Sequence, residues 1–381
     1  MRFLLLPGAF VLACLSVSPL VRANPVFNLT YISGTSAPAQ AAFSQAAAQW
    51  AASFTDNVTI NLTVGTGGLG SGILANTETS DTTYTYSTYR AALAADRTSA
   101  NDALAVSHLP NTSSVPIYIN YTLDNPHGAG SATPYVDLSG ANNSTIRMSN
   151  ANARALGLAP VLQSVPGCTA NCDGFIEFSD AFTYDFDRSN GISSGTFDFV
   201  GLALHEIGHA LGFISGVDIL DINAGPNFFN ADSFTYVTPL DTFRCSTASA
   251  SEGATLDFTV ETGTKSFSLD NCVTTKAPFA TGRIHGDGRQ ASHWRDNLGL
   301  GVMDPTANPG ELLTVTDLDL MAFDVIGWNL VPEPGVLVIG VSWVLGLMMS
   351  RRRRVGSCPA WRSMSRTVGA QDGLQVEQRF I

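Results

Sequence analysis

His205, Glu206 and His209 form an H-E-x-x-H pattern within ALHEIGHALGF (203–213). Imidazoles four residues apart project from adjacent turns of one helical face, so both can bind one ion. Glu206 lies roughly 100° further round the helix, beside such an ion rather than on it. From there its carboxylate can act as general base toward a metal-activated water and return the proton to a leaving amine. With 6 His and 8 Glu in 381 residues, the pattern arises by chance in about two chains per thousand. Val200, Leu202, Ala203, Leu204, Ile207, Ala210 and Leu211 make its surroundings an apolar helix. The bland alternative is a pair of histidines that bind no metal.

A site of this kind needs a third protein ligand. Three residues beyond Gly212 stands Ser215, a poor ligand, and no glutamate occurs between Glu206 and Glu252. Asp218 and Asp221 are within sequence reach. His285 and His293 are the histidines C-terminal to the motif, whereas His108 and His127 precede it and read as surface residues. His293 stands in Ser292-His293-Trp294, and ten residues later Met303 lies in the turn-forming stretch GLGVMDP.

The elements needed to position these groups are visible as patterns. Phe43, Ala46, Ala47, Trp50 and Phe54 fall on one face of an Ala-rich helix from Ala37. Residues 57–64 alternate as a strand, broken by GTGGLGSG (65–72), and 114–123 reads as another strand. A central buried helix is predicted over 196–213, and a closing helix over 314–328 with Thr316 as N-cap. The expected fold class is α/β (α+β) with one cleft. Cys168, Cys172, Cys245 and Cys272 are an even set in an exported body, and proximity favours 168–172 and 245–272 among three pairings.

His205, Glu206, His209 and Gly212, then Ser292-His293-Trp294, then Met303, and the closing DLDLMAFDVIGW, resemble the leishmanolysin family of metzincin zinc proteases. The resemblance spans roughly 196–328. It implies a two-lobed protease domain with a twisted sheet, a central active-site helix and a cleft between lobes. It also implies zinc held by His205, His209 and His293, with a long insertion (216–284) before the third ligand. Met303 would then be a polarizable apolar floor beneath the metal, and Gly212 the point where the helix turns sharply away. His285 is a rival ligand or a hydrogen-bond partner of His293. The family's cysteine-rich framework is mostly missing, no pro-segment cysteine supports a cysteine switch, and no tyrosine stands two residues after Met303.

The ends read as addresses. Residues 1–23 have a basic start, an apolar stretch and a Val21-Arg22-Ala23 cleavage site, the pattern of a secretory signal; a cut before Cys14 fits less well. Pro332-Glu333-Pro334, an apolar run over 336–350 and Arg351–Arg354 resemble the PEP-CTERM sorting signal read by exosortases of Gram-negative bacteria. That resemblance assigns 331–354 to a transmembrane sorting segment and implies an exosortase-type processing partner. Residues 355–381 extend beyond the usual end of such signals. Residues 24–200 form the expected N-terminal lobe and 201–330 the active-site helix and C-terminal lobe.

Between residues 24 and 330 there are 11 Lys+Arg and 29 Asp+Glu, a net charge of −18, and the whole chain has two lysines, Lys265 and Lys276. This composition argues against nucleic-acid binding and for an exported protein of the periplasm, cell surface or extracellular matrix. Asp173, Asp180, Asp185 and Asp187 are conceivable calcium ligands, although solvated loop carboxylates are the simpler reading. The function expected is an exported zinc endopeptidase that hydrolyses peptides or proteins. The alternatives are a surface or matrix protein with a structural or vestigial zinc site, and a zinc amidase acting on cell-wall peptides.

Overall fold

Ser36 caps a helix, α1 (Ala37–Ser53), whose Ala39, Ala42, Phe43, Ala46, Ala47 and Trp50 are buried at the predicted spacing of three and four. The computed structural model describes residues 23–168, 172–224 and 229–332, together with the backbone of 374–379. Most of the expected secretion signal (1–23) and sorting signal (331–354) lies outside these residues. Among the described residues no helix is long and apolar enough to cross a membrane.

The fold is mixed α/β, with several small sheets around one larger one. The strands that matter for the site are β1 (Val26–Tyr31), β2 (Thr59–Gly67), β3 (Ile73–Thr79), β4 (Gly174–Ser179), β5 (Thr306–Ala307) and β6 (Leu374–Arg379). They form one six-stranded sheet in the order β1-β2-β4-β3-β6-β5. β1, β2 and β4 run parallel, with Val26 opposite Thr59 and Leu62 opposite Gly174. β3 reverses direction against β4, pairing Ala75 with Phe178 and Thr79 with Gly174. The strand predicted over 57–64 is observed over Thr59–Gly67, running three residues into the glycine-rich stretch expected to break it. The strand predicted over 114–123 shrinks to Ile117–Ile119, because Asn120, Tyr121 and Thr122 are taken up in a turn with the loop at 125–131.

The central helix, α2 (Phe199–Ala210), is buried along its whole length. Its N-cap is Asp198, which accepts from the Gly201 amide. An all-round apolar helix must be enclosed, and α1 covers one side of it. Trp50 Nε1 donates to the Leu204 carbonyl at 2.9 Å, while Phe43 and Phe178 close on Phe199 at ring separations of 5.0 and 4.5 Å. Each such buried aromatic contributes about 1.5–3 kcal/mol relative to exposure. β3 lies against another side of α2.

Beyond α2 come α3 (Val217–Asn223) and the stretch anticipated as an insertion. That stretch builds a three-stranded sheet from Arg244–Cys245, Lys265–Phe267 and Ala277–Phe279. It also sends Leu256–Asp257 to pair with Ile117 and Tyr118, across the boundary anticipated near residue 200. Lys265, 1% exposed, is held by Asp257 and Glu261 at 3.0 and 2.6 Å. Disulfides join Cys168 to Cys172 and Cys245 to Cys272, the pairings that proximity favoured. The closing helix α4 (Asp317–Val325) starts at Thr316 through a reciprocal cap with Asp319. Sequence periodicity did not mark the helices Tyr86–Asp96 and Ala100–His108, whose apolar faces are short and interrupted by polar residues.

Candidate metal centre

α2 places His205 and His209 one turn apart, and Gly212 sets the path of the chain beyond them. Its φ of +114° bends the backbone so that the Phe213 carbonyl meets His209 Nδ1 at 2.7 Å. A side chain at 212 would be strained by that backbone and crowded by Asn152, whose Cβ would stand 2.9 Å away. His205 Nδ1 donates to the Val302 carbonyl at 2.7 Å, and His293 Nδ1 to the Gln290 carbonyl at 3.1 Å.

With every Nδ1–H committed to a carbonyl, each neutral ring presents a lone pair at Nε2. The three Nε2 atoms face one another at 3.0 Å (205 to 209), 3.2 Å (205 to 293) and 3.2 Å (209 to 293). Lone pairs cannot bond to one another, so their convergence calls for a cation. The centre of this nearly equilateral triangle is about 1.8 Å from each corner, close to the roughly 2.0–2.1 Å of an imidazole bond to zinc. His205, His209 and His293 would therefore hold a divalent ion among their Nε2 atoms. Protonation is the other way to relieve the clash, and burial opposes it. His205 is pushed down to about 4 by desolvation, while His209 and His293 are driven well below the ordinary imidazole value by desolvation and by the neighbouring rings. The donor set fits a metal ion, and His205, His209 and His293 are the cluster among the described residues that can hold one.

Glu206 is buried beside these rings. The Thr77 hydroxyl of β3 donates to its Oε2 and lies 3.0 Å from its backbone carbonyl. Met303 packs under the helix at Gly208, where an added Cβ would stand 2.6 Å from its sulfur. That glycine lets the methionine lie directly against the turn between the two histidines.

The chain around His293 is irregular and is fixed by buried carboxylates. Asp218, the second-choice ligand at the level of sequence, is not in the imidazole cluster. It accepts from the Ala291 amide at 2.6 Å, the Ser292 amide at 3.1 Å and the Ser292 hydroxyl at 2.5 Å. Burial pushes it up to about 7 despite those bonds. Asp319 takes Trp294 Nε1 and the Val302 amide, both at 2.8 Å, and caps α4 through Thr316. One carboxylate thus ties the residue after His293, the residue whose carbonyl holds His205 and the Met303 turn to a single helix. Ser215 bonds Ser292 and Asp241 instead of a metal. Arg244, fully buried, donates to the Ala280 carbonyl, and the Ala280 amide donates to the His293 carbonyl.

Other candidates take different places. The His285 amide and that of Ile284 bind Asp221, and the His285 ring rests on Tyr121 at 4.7 Å, so it neither replaces His293 nor meets its Nδ1. His108 and His127 are exposed. Asp173 is paired with Arg154 at 2.6 Å, and Asp185 and Asp187 cap turns at Ser193 and Ser189; none of them joins a metal cluster. The sequence reading missed Thr77, Asp319, Asp241 and Arg244. Of these only Asp319 carried a signal, as the third residue of the Thr316 cap. No protein-family model matches the chain, and neither the curated proteins nor the solved structures compared with it yield a match.

Proposed function

We propose that this chain is an exported zinc-dependent endopeptidase of leishmanolysin-like, metzincin type, with His205, His209 and His293 as the ligands and Glu206 as general base. The observation that carries the reading is the convergence of three Nε2 lone pairs beside a buried glutamate of the same helix. Three neutral imidazoles leave an ion's fourth position to water or substrate, the arrangement of catalytic rather than structural zinc. When bound, zinc supplies Lewis acidity, lowering the pKa of water toward about 7 and polarising a carbonyl.

The protein's own residues supply the rest. Glu206 takes up a proton from the attacking water and delivers it to the nitrogen of the leaving amine. Thr77 holds the carboxylate in place through its hydroxyl. β3, which carries Thr77, has β4 on one side; its other side, paired with β6 in this structure, is the edge along which an extended peptide would add, bringing its carbonyls past Glu206 and the imidazoles. The two lobes of this reading would be the larger sheet with α1 and the carboxylate-pinned C-terminal part. Two disulfides are compatible with export.

The test is Glu206→Gln in the full chain. It should retain one metal ion per chain by elemental analysis and lose hydrolysis of a peptide library by at least about 100-fold. Stoichiometric metal with no hydrolysis in the unaltered protein would instead favour a structural site.

A further inference from the structure

We infer that this chain's own C-terminal segment, Leu374–Arg379, occupies the peptide-docking edge beside the metal centre and blocks it until the segment is removed or displaced. The inference rests on the endopeptidase reading for its consequence, but the strand pairing stands on its own geometry.

β6 runs parallel to β3, placing Gln375 opposite Ile73, Glu377 opposite Asn76, Gln378 opposite Thr77 and Arg379 opposite Glu78, with an irregularity between Gln375 and Glu377. Its other edge pairs antiparallel with β5, Gln375 opposite Thr306 and Leu374 opposite Ala307. The two flanking strands are those tied most directly to the site. Thr77 of β3 bonds Glu206, and β5 begins three residues after Met303. β6 therefore lies in a slot bordered on one side by the general base's partner and on the other by the turn beneath the histidines. This one segment pairs with both borders. An extended substrate needs the same edges, so it must displace β6 or go without them. Tethering favours the resident strand, since a linked segment acts at an effective concentration of about millimolar.

The described body ends at Pro332 and the strand starts at Leu374, so 41 residues join them. Any cut within that stretch separates β6 from the body. The expected sorting signal falls there, at Pro332-Glu333-Pro334 and 336–350. Threading 336–350 through a bilayer would likewise carry β6 to the opposite side from β3. Processing or insertion would thus be the event that opens the docking edge.

The experiment compares the full chain with its Glu377→Pro/Gln378→Pro variant. Glu377 and Gln378 both lie opposite β3, and successive strand amides point to opposite edges, so one of the two prolines removes a donor toward β3 whichever amide faces it. Hydrogen exchange at the amides of 73–79 should be about tenfold faster in the variant, and cleavage of a fluorogenic peptide library should rise by a similar factor. The synthetic peptide LQVEQR, added to the variant, should reverse both effects. Unchanged exchange at 73–79 overturns the inference whatever the hydrolysis. Faster exchange with equal, measurable hydrolysis in both proteins overturns the blocking role. Faster exchange with no hydrolysis in either leaves the strand assignment standing and sinks the endopeptidase reading.

Discussion

His205 and His209 stand on a helix that is buried at every position, whereas His293 stands on irregular chain pinned by two buried carboxylates. The helical half is held by apolar enclosure from α1 and β3, whose contributions are many and individually modest. The loop half depends on Asp218 and Asp319, each collecting several backbone and side-chain donors. Truncating one packing residue of the helix leaves its neighbours in place, while removing one carboxylate strands several buried donors together. The two halves should therefore fail differently.

The largest expected effect tests that difference directly. Asp319→Ala leaves Trp294 Nε1, the Val302 amide and the Thr316 amide without their acceptor. Unsatisfied buried donors cost about 1–3 kcal/mol each, so denaturant titration should show a loss of about 4 kcal/mol together with weaker metal binding. A loss below about 1 kcal/mol would erase the contrast between the halves. Next comes the stretch before His293. Replacing Cys245 and Cys272 by alanine should cost about 2–4 kcal/mol by loop entropy, with the metal still bound. Loss of the metal in that variant would add the disulfide to the supports of the loop half. On the helical side, Gly208→Ala drives a methyl against the Met303 sulfur and should cost about 1–3 kcal/mol through overpacking. A neutral result would mean that Met303 repacks freely and is ordinary core.

The pH dependence of the metal-free protein is the subtlest effect, and it sharpens the comparison because the two halves should slope in opposite directions. His205 is depressed to about 4 in the folded state. Its contribution is full above pH 6.5 and is lost as pH falls toward 4. Asp218 is raised to about 7. Its contribution is full below about pH 4 and is lost as pH rises through 7. The stability difference between the unaltered protein and His205→Gln should shrink on acidification, and that against Asp218→Asn should shrink on alkalinisation. Equal slopes in the two comparisons would contradict these charge states.

The same contrast explains what the sequence made legible. α1, α2 and α4 were readable because periodic apolar residues and the caps at Thr316 and Gly212 are local signals. His293 was reachable through its Ser-His-Trp setting and the Met303 turn, although spacing alone left Asp218, Asp221 and His285 open. Asp319 was legible only as a helix cap, and the holds that Asp218 and Asp319 exert on the His293 stretch left no pattern, since their partners are mostly backbone amides that any residue could provide. Thr77 lies 129 positions from Glu206, and no local rule connects them. The short strands fared similarly: Arg244–Cys245, Leu256–Asp257 and Ala277–Phe279 exist because of pairing partners and not because of their own two or three residues.

The sulfur of Met303 lies against the bare turn at Gly208 and is wholly enclosed. Peroxide can reach it only when the wall between helix and loop parts. A sulfoxide is polar and bulkier, so it would prevent that wall from closing again. The rate of sulfoxide formation at this residue would then serve as a clock for how often the centre breathes.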